Sequence, residues 1–375
     1  MTENKEIAQI KPYIYIYIYR ERESNFELLR LVCMLFIILH HFIVHGLKTS
    51  GYPDESSVTF FGIAFNSLFV IAVNCFVLIS GYHSIKASPK GFFRLYIMCV
   101  FYLVLLNAFI FVQNDFSLEF VEKRGIVMPF SHTKYWFIRS YFYLFLLSPF
   151  LNKITSNCNK REFIGLLFIG SIITFYFGYL WSGDINSNGY NFMNFIFLYF
   201  IGRFIALHTT NEKTEKNKWI AMFVVMLCSL LIIGIVEVLS HFGLQDKIWK
   251  YGYYYNSPLV VISAVAFFLF FRNLKVQSKI INWAAVSVLA VYLVHDNRVV
   301  NQLLLEYVSS LSEQIGNNFV LGCVLFLFAV GVLFVCILFD KVRMIITNPI
   351  EKMLNRIPLE NYFSKFADSI NRIVK

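Results

Sequence analysis

Long apolar runs separated by short polar segments set the rhythm of the chain. Ten runs stand out, at residues 26–47, 59–83, 92–113, 135–152, 162–181, 190–208, 218–240, 256–272, 283–305 and 317–340. Each has roughly the 17–25 residues a helix needs to cross a bilayer core about 30 Å thick. The pattern predicts an all-α, polytopic membrane protein of about ten transmembrane helices. It divides the chain into a tail at 1–25, a ten-helix membrane domain at 26–346 and a second tail at 347–375. In that last segment Leu359, Tyr362, Phe363, Phe366, Ile370 and Ile373 recur at helical spacing with lysine and arginine opposite, which predicts an anchoring helix lying on the inner leaflet.

Lysine and arginine placement gives the orientation, because cytoplasmic loops hold the excess. With the N-terminus inside, the inner segments contain 24 of the 33 basic residues. An even number of spans with both termini cytoplasmic satisfies every loop, which places Lys90, Lys160 and Lys216 inside and Asp54, Asp184 and Asp246 outside. Composition agrees: 58% of residues are hydrophobic, 15% are charged, and the mean hydropathy is +0.61. The net charge of +10 comes mostly from this asymmetry, so it points to anionic lipid headgroups and makes no case for nucleic acid.

Seven cysteines occur without a CxxC spacing, which predicts packing residues rather than a disulfide framework or a zinc site. No cleavable signal peptide is evident, so the first span reads as an uncleaved anchor. The tail's YIYIYIY (residues 13–19) has the period of a strand but nothing to pair with, and no function is assigned to it. No half-length repeat and no matched pair of broken spans is present, which argues against a transporter.

Candidate chemistry begins in the first span, NFELLRLVCMLFIILHHFIVHG, because ionisable groups in hydrocarbon are costly. On a helix, Arg30 and His41 lie about 20° apart around the axis, with His45 one turn further and Glu27 about 40° from His41. His40 points roughly 100° away. Arg30 can snorkel to the headgroups, but His41 sits about 22 Å into the core, beyond that reach. It either lines a polar cavity or bonds a neighbouring helix. In the ninth span, AAVSVLAVYLVHDNRVV, His295 lies within about 4 Å of the same depth. Asp296, Asn297 and Arg298 continue outward and demand protein or water around them.

Other segments have both structural and functional readings. FVLISGY ends the second span, and its Ser80 and Gly81 either let helix backbones approach or let a cofactor chain pass. Lys86, Lys90 and Arg94 follow at four-residue spacing, able to grip phosphates or simply to obey the positive-inside rule. KYWFIRSYFYLFLLSPFLN brings Trp136 and an intramembrane Arg139, for which Glu237 is a plausible partner. WKYGYYYN (residues 249–256) fits an interfacial aromatic belt or a sugar-stacking surface.

Together SNFELLRLVCMLFIILHH, FVLISGY, WFIRSYFYLFLLSPFLN and YLVHD resemble the acyltransferase 3 family of bacterial integral-membrane acyltransferases, many of which O-acetylate cell-surface polysaccharides. The arginine, ten intervening residues and histidine are the most specific element. The resemblance implies that His41 is catalytic and Arg30 essential, and it extends less directly to Trp136 and His295. The family often has closely spaced arginines before its third span, where this chain has only Lys90 and Arg94. The extra periplasmic hydrolase-like domain of some members is missing, which predicts a stand-alone transferase.

The expected function is therefore an O-acyltransferase of the bacterial inner membrane. It would move an acyl group, most simply acetyl from acetyl-CoA, to a hydroxyl of a surface polysaccharide or lipid-linked glycan, with no metal. Catalysis is assigned to His41, Arg30, Glu27 and His295; cofactor binding to Ser80, Gly81, Lys86, Lys90 and Arg94; and substrate binding to Trp136 and Arg139. His41 would act as general base or as acyl-accepting nucleophile, and Arg30 would hold the coenzyme or balance the oxyanion. The alternative is a transporter or flippase for a saccharide or lipid-linked saccharide, using the same polar stripe as a pathway.

Overall fold

The computed structural model describes residues 23–47, 57–113, 126, 128–131, 135–181, 185–186, 188–210 and 215–359. All regular structure among them is helical. Helix α1 (Ser24–His41) runs on into a π-helical turn, Phe42–Gly46. Helices α2 (Ser57–Phe69) and α3 (Ala72–His83) form two halves of one apolar stretch. Then come α4 (Pro89–Gln113), α5 (Trp136–Asn157), and α6 (Lys160–Ser171) with its π-helical continuation Ile172–Leu180. Helices α7 (Phe192–His208) and α8 (Glu215–His241) lead to a π-helical turn, Trp249–Tyr253, and α9 (Pro258–Arg272). The chain closes with α10 (Lys279–Ala285), α11 (Val288–His295), α12 (Arg298–Gln314) and α13 (Asn318–Arg356).

Polar residues start these helices where the sequence supplies them. Asn159 and Glu162 form a reciprocal capping box at α6, and Asn297, Asn317 and Ser278 each accept a backbone N–H at the start of α12, α13 and α10.

Seven stretches among the described residues are long and apolar enough to cross a membrane: Ser24–Gly46, Phe60–His83, Pro89–Gln113, Lys160–Leu180, Glu215–His241, Gln245–Arg272 and Asn318–Arg356. The protein is thus a multi-pass membrane protein, with fewer such helices than the ten apolar runs. Helix α5 carries Arg139, Lys153 and Pro149, which dilute its hydropathy, and α7 has only 17 residues.

The expected ninth span, 283–305, is not one helix. It breaks between α10 and α11, ends at His295, and restarts as α12 behind the Asn297 cap. The reason is local. Asn297 Oδ1 accepts Val299 N–H at 3.1 Å and Asn301 Nδ2 donates to the His295 carbonyl at 3.4 Å, which ends one helix and starts the next. The last run also extends far past its expected end at 340, to Arg356. The repeat tract at 13–19, the amphipathic tail beyond Leu359, and Asp54 and Asp184 lie outside the described residues.

Two features of the packing position the site. Helices α3 and α7 approach so closely that a Cβ on Gly81 would strike the Tyr199 carbonyl oxygen and a Cβ on Gly202 the Leu78 carbonyl oxygen; small residues permit that approach. Helix α1 runs beside α10 and α11 in the same direction. At one end Ser24 Oγ accepts Ser278 N–H at 3.0 Å, and at the other the rings of His41 and His295 lie 5.3 Å apart. We call these the Asn25 end and the Gly46 end.

A buried ionic cluster ties α13 to α4. Tyr102 Oη donates to Asp340 Oδ1 at 2.8 Å, and Arg343 Nε donates to the same oxygen at 2.6 Å. The pair is 0% and 3% exposed. Next to it Lys341 Nζ donates to the Trp283 carbonyl at 2.6 Å and sits over that ring, which locks α13 against α10.

Candidate active site

The face of α1 that the sequence marks as polar opens onto a cavity of about 310 Å³. Arg30, Met34, Ile37, His40 and His41 line it from α1, and Ser80 and Phe76 from α3. Trp136, Phe137 and Tyr141 of α5, Tyr255, and Tyr292 and Asp296 of the α11 segment close the other sides. Arg30 and His41 are eleven residues apart, about 16 Å along the axis. The cavity is therefore a slot running along α1 with a guanidinium near one end and imidazoles near the other.

At the Asn25 end Arg30 Nη1 donates to Glu27 Oε1 at 2.8 Å, with side-chain exposures of 30% and 7%. Glu27 is held inside the bundle and meets the slot through Arg30, so its reach is to neutralise and orient the guanidinium. Ser80 lies on the slot wall, its hydroxyl donating to the Phe76 carbonyl at 2.9 Å.

At the Gly46 end four histidines meet, with the His41 ring in contact with the other three. His41 lies 5.9 Å from His40, 5.9 Å from His45 and 5.3 Å from His295. His41 lines the cavity. His40 also reaches the slot, contrary to the helical-wheel expectation that it points away. The cavity spans a broader arc of α1 than the Arg30–His41 line, and Asn66 fixes His40 at its rim, Nδ1 to Oδ1 2.5 Å. His45 is exposed, just beyond the point where the helix widens into its π-helical turn; such widenings recur at functional sites.

His295 is 1% exposed, and its Nδ1 lies 2.7 Å from the Val291 carbonyl oxygen. A carbonyl only accepts, so Nδ1 carries a proton, and in the neutral ring Nε2 keeps the lone pair. The polar stretch after it is satisfied within the protein. Tyr135 Oη donates to the Leu293 carbonyl at 2.9 Å, Asn297 Nδ2 donates to Tyr135 Oη at 3.2 Å, and Asn301 Nδ2 donates to the His295 carbonyl at 3.4 Å. Such pairing is what broken helix at membrane depth requires.

Trp136 stacks on Tyr255, centroids 5.7 Å apart and rings inclined 24°, and contacts Tyr190 at 4.6 Å. This aromatic wall unites two segments that the sequence treated separately. Arg139 does not join the slot: one turn on from Trp136, it leaves that wall to Phe137 and Tyr141. No ion pair links Arg139 to Glu237 among the described residues, and Glu237 is exposed on α8.

The proposed cofactor residues separate. Ser80 lines the slot, whereas Gly81 faces α7 and serves helix packing. Lys90 Nζ donates to the Asn355 carbonyl at 3.3 Å and Arg94 Nη2 to Asn355 Oδ1 at 2.9 Å. These cations thereby meet the C-terminal end of α13, where a helix dipole favours positive charge. Lys86 is exposed. None of the three is part of the slot wall.

Sequence reasoning assigned no role to Tyr141, Tyr292, Tyr255, Asp296 or His40 as wall residues. Asp296 and the Tyr255 segment carried a signal in their polarity and aromatic density. Tyr141 and Tyr292 carried none, since a tyrosine inside an apolar span reads the same whether it packs or faces a cavity. Among the described residues no cluster of three or more His, Cys, Asp and Glu residues has the makings of a metal site.

No curated protein and no solved structure matches this chain. The acyltransferase 3 family model, described as an acyltransferase domain, matches residues 23–341. That match runs from the residue before α1 into α13, and so includes every wall of the slot. The chain belongs to the acyltransferase 3 family and is an integral-membrane acyltransferase.

Proposed function

We propose that the slot transfers an acyl group, acetyl in the simplest case, from a coenzyme A thioester to a hydroxyl of a cell-surface polysaccharide or lipid-linked glycan, in the bacterial inner membrane with both termini cytoplasmic. The observation that carries this reading is the shape of the slot: a narrow passage with Arg30 near one end and His41 about 16 Å along α1. A volume of about 310 Å³ is at the small end of ligand sites, which run from about 300 to 1,000 Å³. It suits a slender carrier arm and its acyl group, and it leaves the nucleotide outside at the Arg30 end.

In this scheme the acceptor hydroxyl oxygen attacks the thioester carbonyl carbon while His41 takes the hydroxyl proton. The tetrahedral intermediate collapses, the C–S bond breaks, and the thiolate leaves and regains the proton from His41. The products are an ester and a free thiol. Arg30 is too far along the helix to donate to an oxyanion beside His41, since such donors act at about 2.7–3.1 Å. Its role is to hold the anionic carrier, with Glu27 fixing its direction. His295, with its protonated Nδ1 committed to Val291, supports the His41 ring, and the Trp136–Tyr255 wall offers flat faces to a sugar.

The test is a mass comparison of surface glycan from wild-type and deletion cells. Loss of a mass equal to one acyl group from a repeating unit is expected on deletion, and its size names the group transferred. Identical glycan and lipid-linked glycan spectra in the two strains contradict the proposal.

A further inference from the structure

A second recess, of about 610 Å³, lies between α6, α7, α8 and α9 and shares no wall residue with the slot. Its walls are apolar, with Leu167, Phe197, Val224, Val265 and Leu269 among them, and one end is closed by Arg272. Arg272 is 8% exposed. Its Nη1 donates to Thr209 Oγ1 at 2.8 Å, while its buried Nε has no hydrogen-bond partner among the described residues. Among the described residues no carboxylate pairs with it. The contrast is with Arg30, paired to Glu27 at 2.8 Å, and Arg343, paired to Asp340 at 2.6 Å. A desolvated guanidinium without a counter-charge is costly, and its fork matches a phosphate.

We infer that this recess binds one anionic phospholipid, its phosphate on Arg272 and an acyl chain along the walls. From Val261 to Arg272 the recess follows α9 for about 16 Å, which fits an extended chain. The occupant comes from the bilayer because the flanking residues Ile220 and Ile262 are about half exposed, at 50% and 49%. A chain enters sideways between them from hydrocarbon, where a water-soluble phosphate does not follow. Asn25 Nδ2 donates to the Phe271 and Arg272 carbonyls at 3.1 and 3.3 Å. The lipid is thereby tied to the start of α1, the helix that carries the slot's arginine and histidines.

Native mass spectrometry of the full-length protein tests this with added phosphatidylglycerol, and in parallel with diacylglycerol of the same chains. The wild type is expected to retain one phosphatidylglycerol and to favour it over diacylglycerol by about tenfold or more, the effect of one charge-assisted contact. Arg272→Gln should abolish that preference. Ile262→Trp, at an exposed position that tolerates bulk, should block the lateral opening and lower retention of both lipids, which keeps the test decisive if Arg272→Gln does not fold. Undiminished phosphatidylglycerol retention in a folded Arg272→Gln or in Ile262→Trp overturns the inference. Equal retention of diacylglycerol by the wild type overturns it too, as does full displacement by soluble glycerol phosphate, which would mark an anion site without a chain.

Discussion

Replacing His41 by alanine should lower acyl transfer by about 10²–10⁴-fold, the usual worth of a positioned general base, with the protein still reaching the membrane at its normal level. The side chain lines the slot and is not one of the fully buried core residues, so truncating it removes chemistry before it removes packing. His40→Ala should cost less. That ring also meets the slot, but it is engaged with Asn66 at its rim, and its loss leaves the proton acceptor in place. His295→Ala should fall between, because it removes the ring 5.3 Å from His41 without removing the base. Initial-rate assays on membranes normalised for protein read all three. Equal losses at His40 and His41 would mean that the proton acceptor has been misassigned, and full activity in His41→Ala would remove it from the mechanism.

Replacing Asp340 by alanine should destabilise the fold by about 3–5 kcal/mol, the cost of leaving a buried charge without its partner. The carboxylate is fully buried and accepts from both Tyr102 and Arg343, so its removal strands a guanidinium and a phenol at once. The cluster as a whole is not expected to be indispensable, because well-packed apolar groups often replace a buried ion pair without loss. Tyr102→Phe, Asp340→Leu and Arg343→Met made together should therefore recover much of what Asp340→Ala loses. Thermal unfolding of the purified variants in one detergent checks this. A melting temperature unchanged in Asp340→Ala would show that the pair contributes nothing to stability.

The first helix was the most legible part of the chain. Its apolar length announces a span, and the eleven-residue separation of Arg30 and His41 places both on the cavity face, because a single straight helix obeys one period. The shared level of His41 and His295 was also readable, since α1 and α10–α11 run in the same direction from one end. Three things were not. Hydropathy merges residues 283–305 into one run, whereas Asn297 and Asn301 satisfy the backbone locally and break the helix. The spacing of Lys90 and Arg94 suggests phosphate ligands but gives no sign that Asn355, from the far end of the chain, reaches both. Asp340 and Arg343 fall where the last apolar run ends and carry no mark of burial in the sequence, and only the arrival of Tyr102 from a helix more than two hundred residues earlier makes them a buried cluster. The last two depend on which distant segments meet, and a periodicity within one helix carries no such information.

The reaction proposed for the slot beside His41 is thioester-dependent acyl transfer. The most direct measurement uses purified protein in lipid vesicles, given acetyl-CoA and a glycan acceptor fraction, with free thiol and acylated acceptor quantified together. Equimolar appearance of free coenzyme A thiol and acylated glycan with the wild type, and neither with His41→Ala, is the predicted result. If the wild type releases no thiol, and instead carries a labelled saccharide across the vesicle membrane at the same rate with or without acetyl-CoA, the slot is a pathway for substrate and the account is wrong.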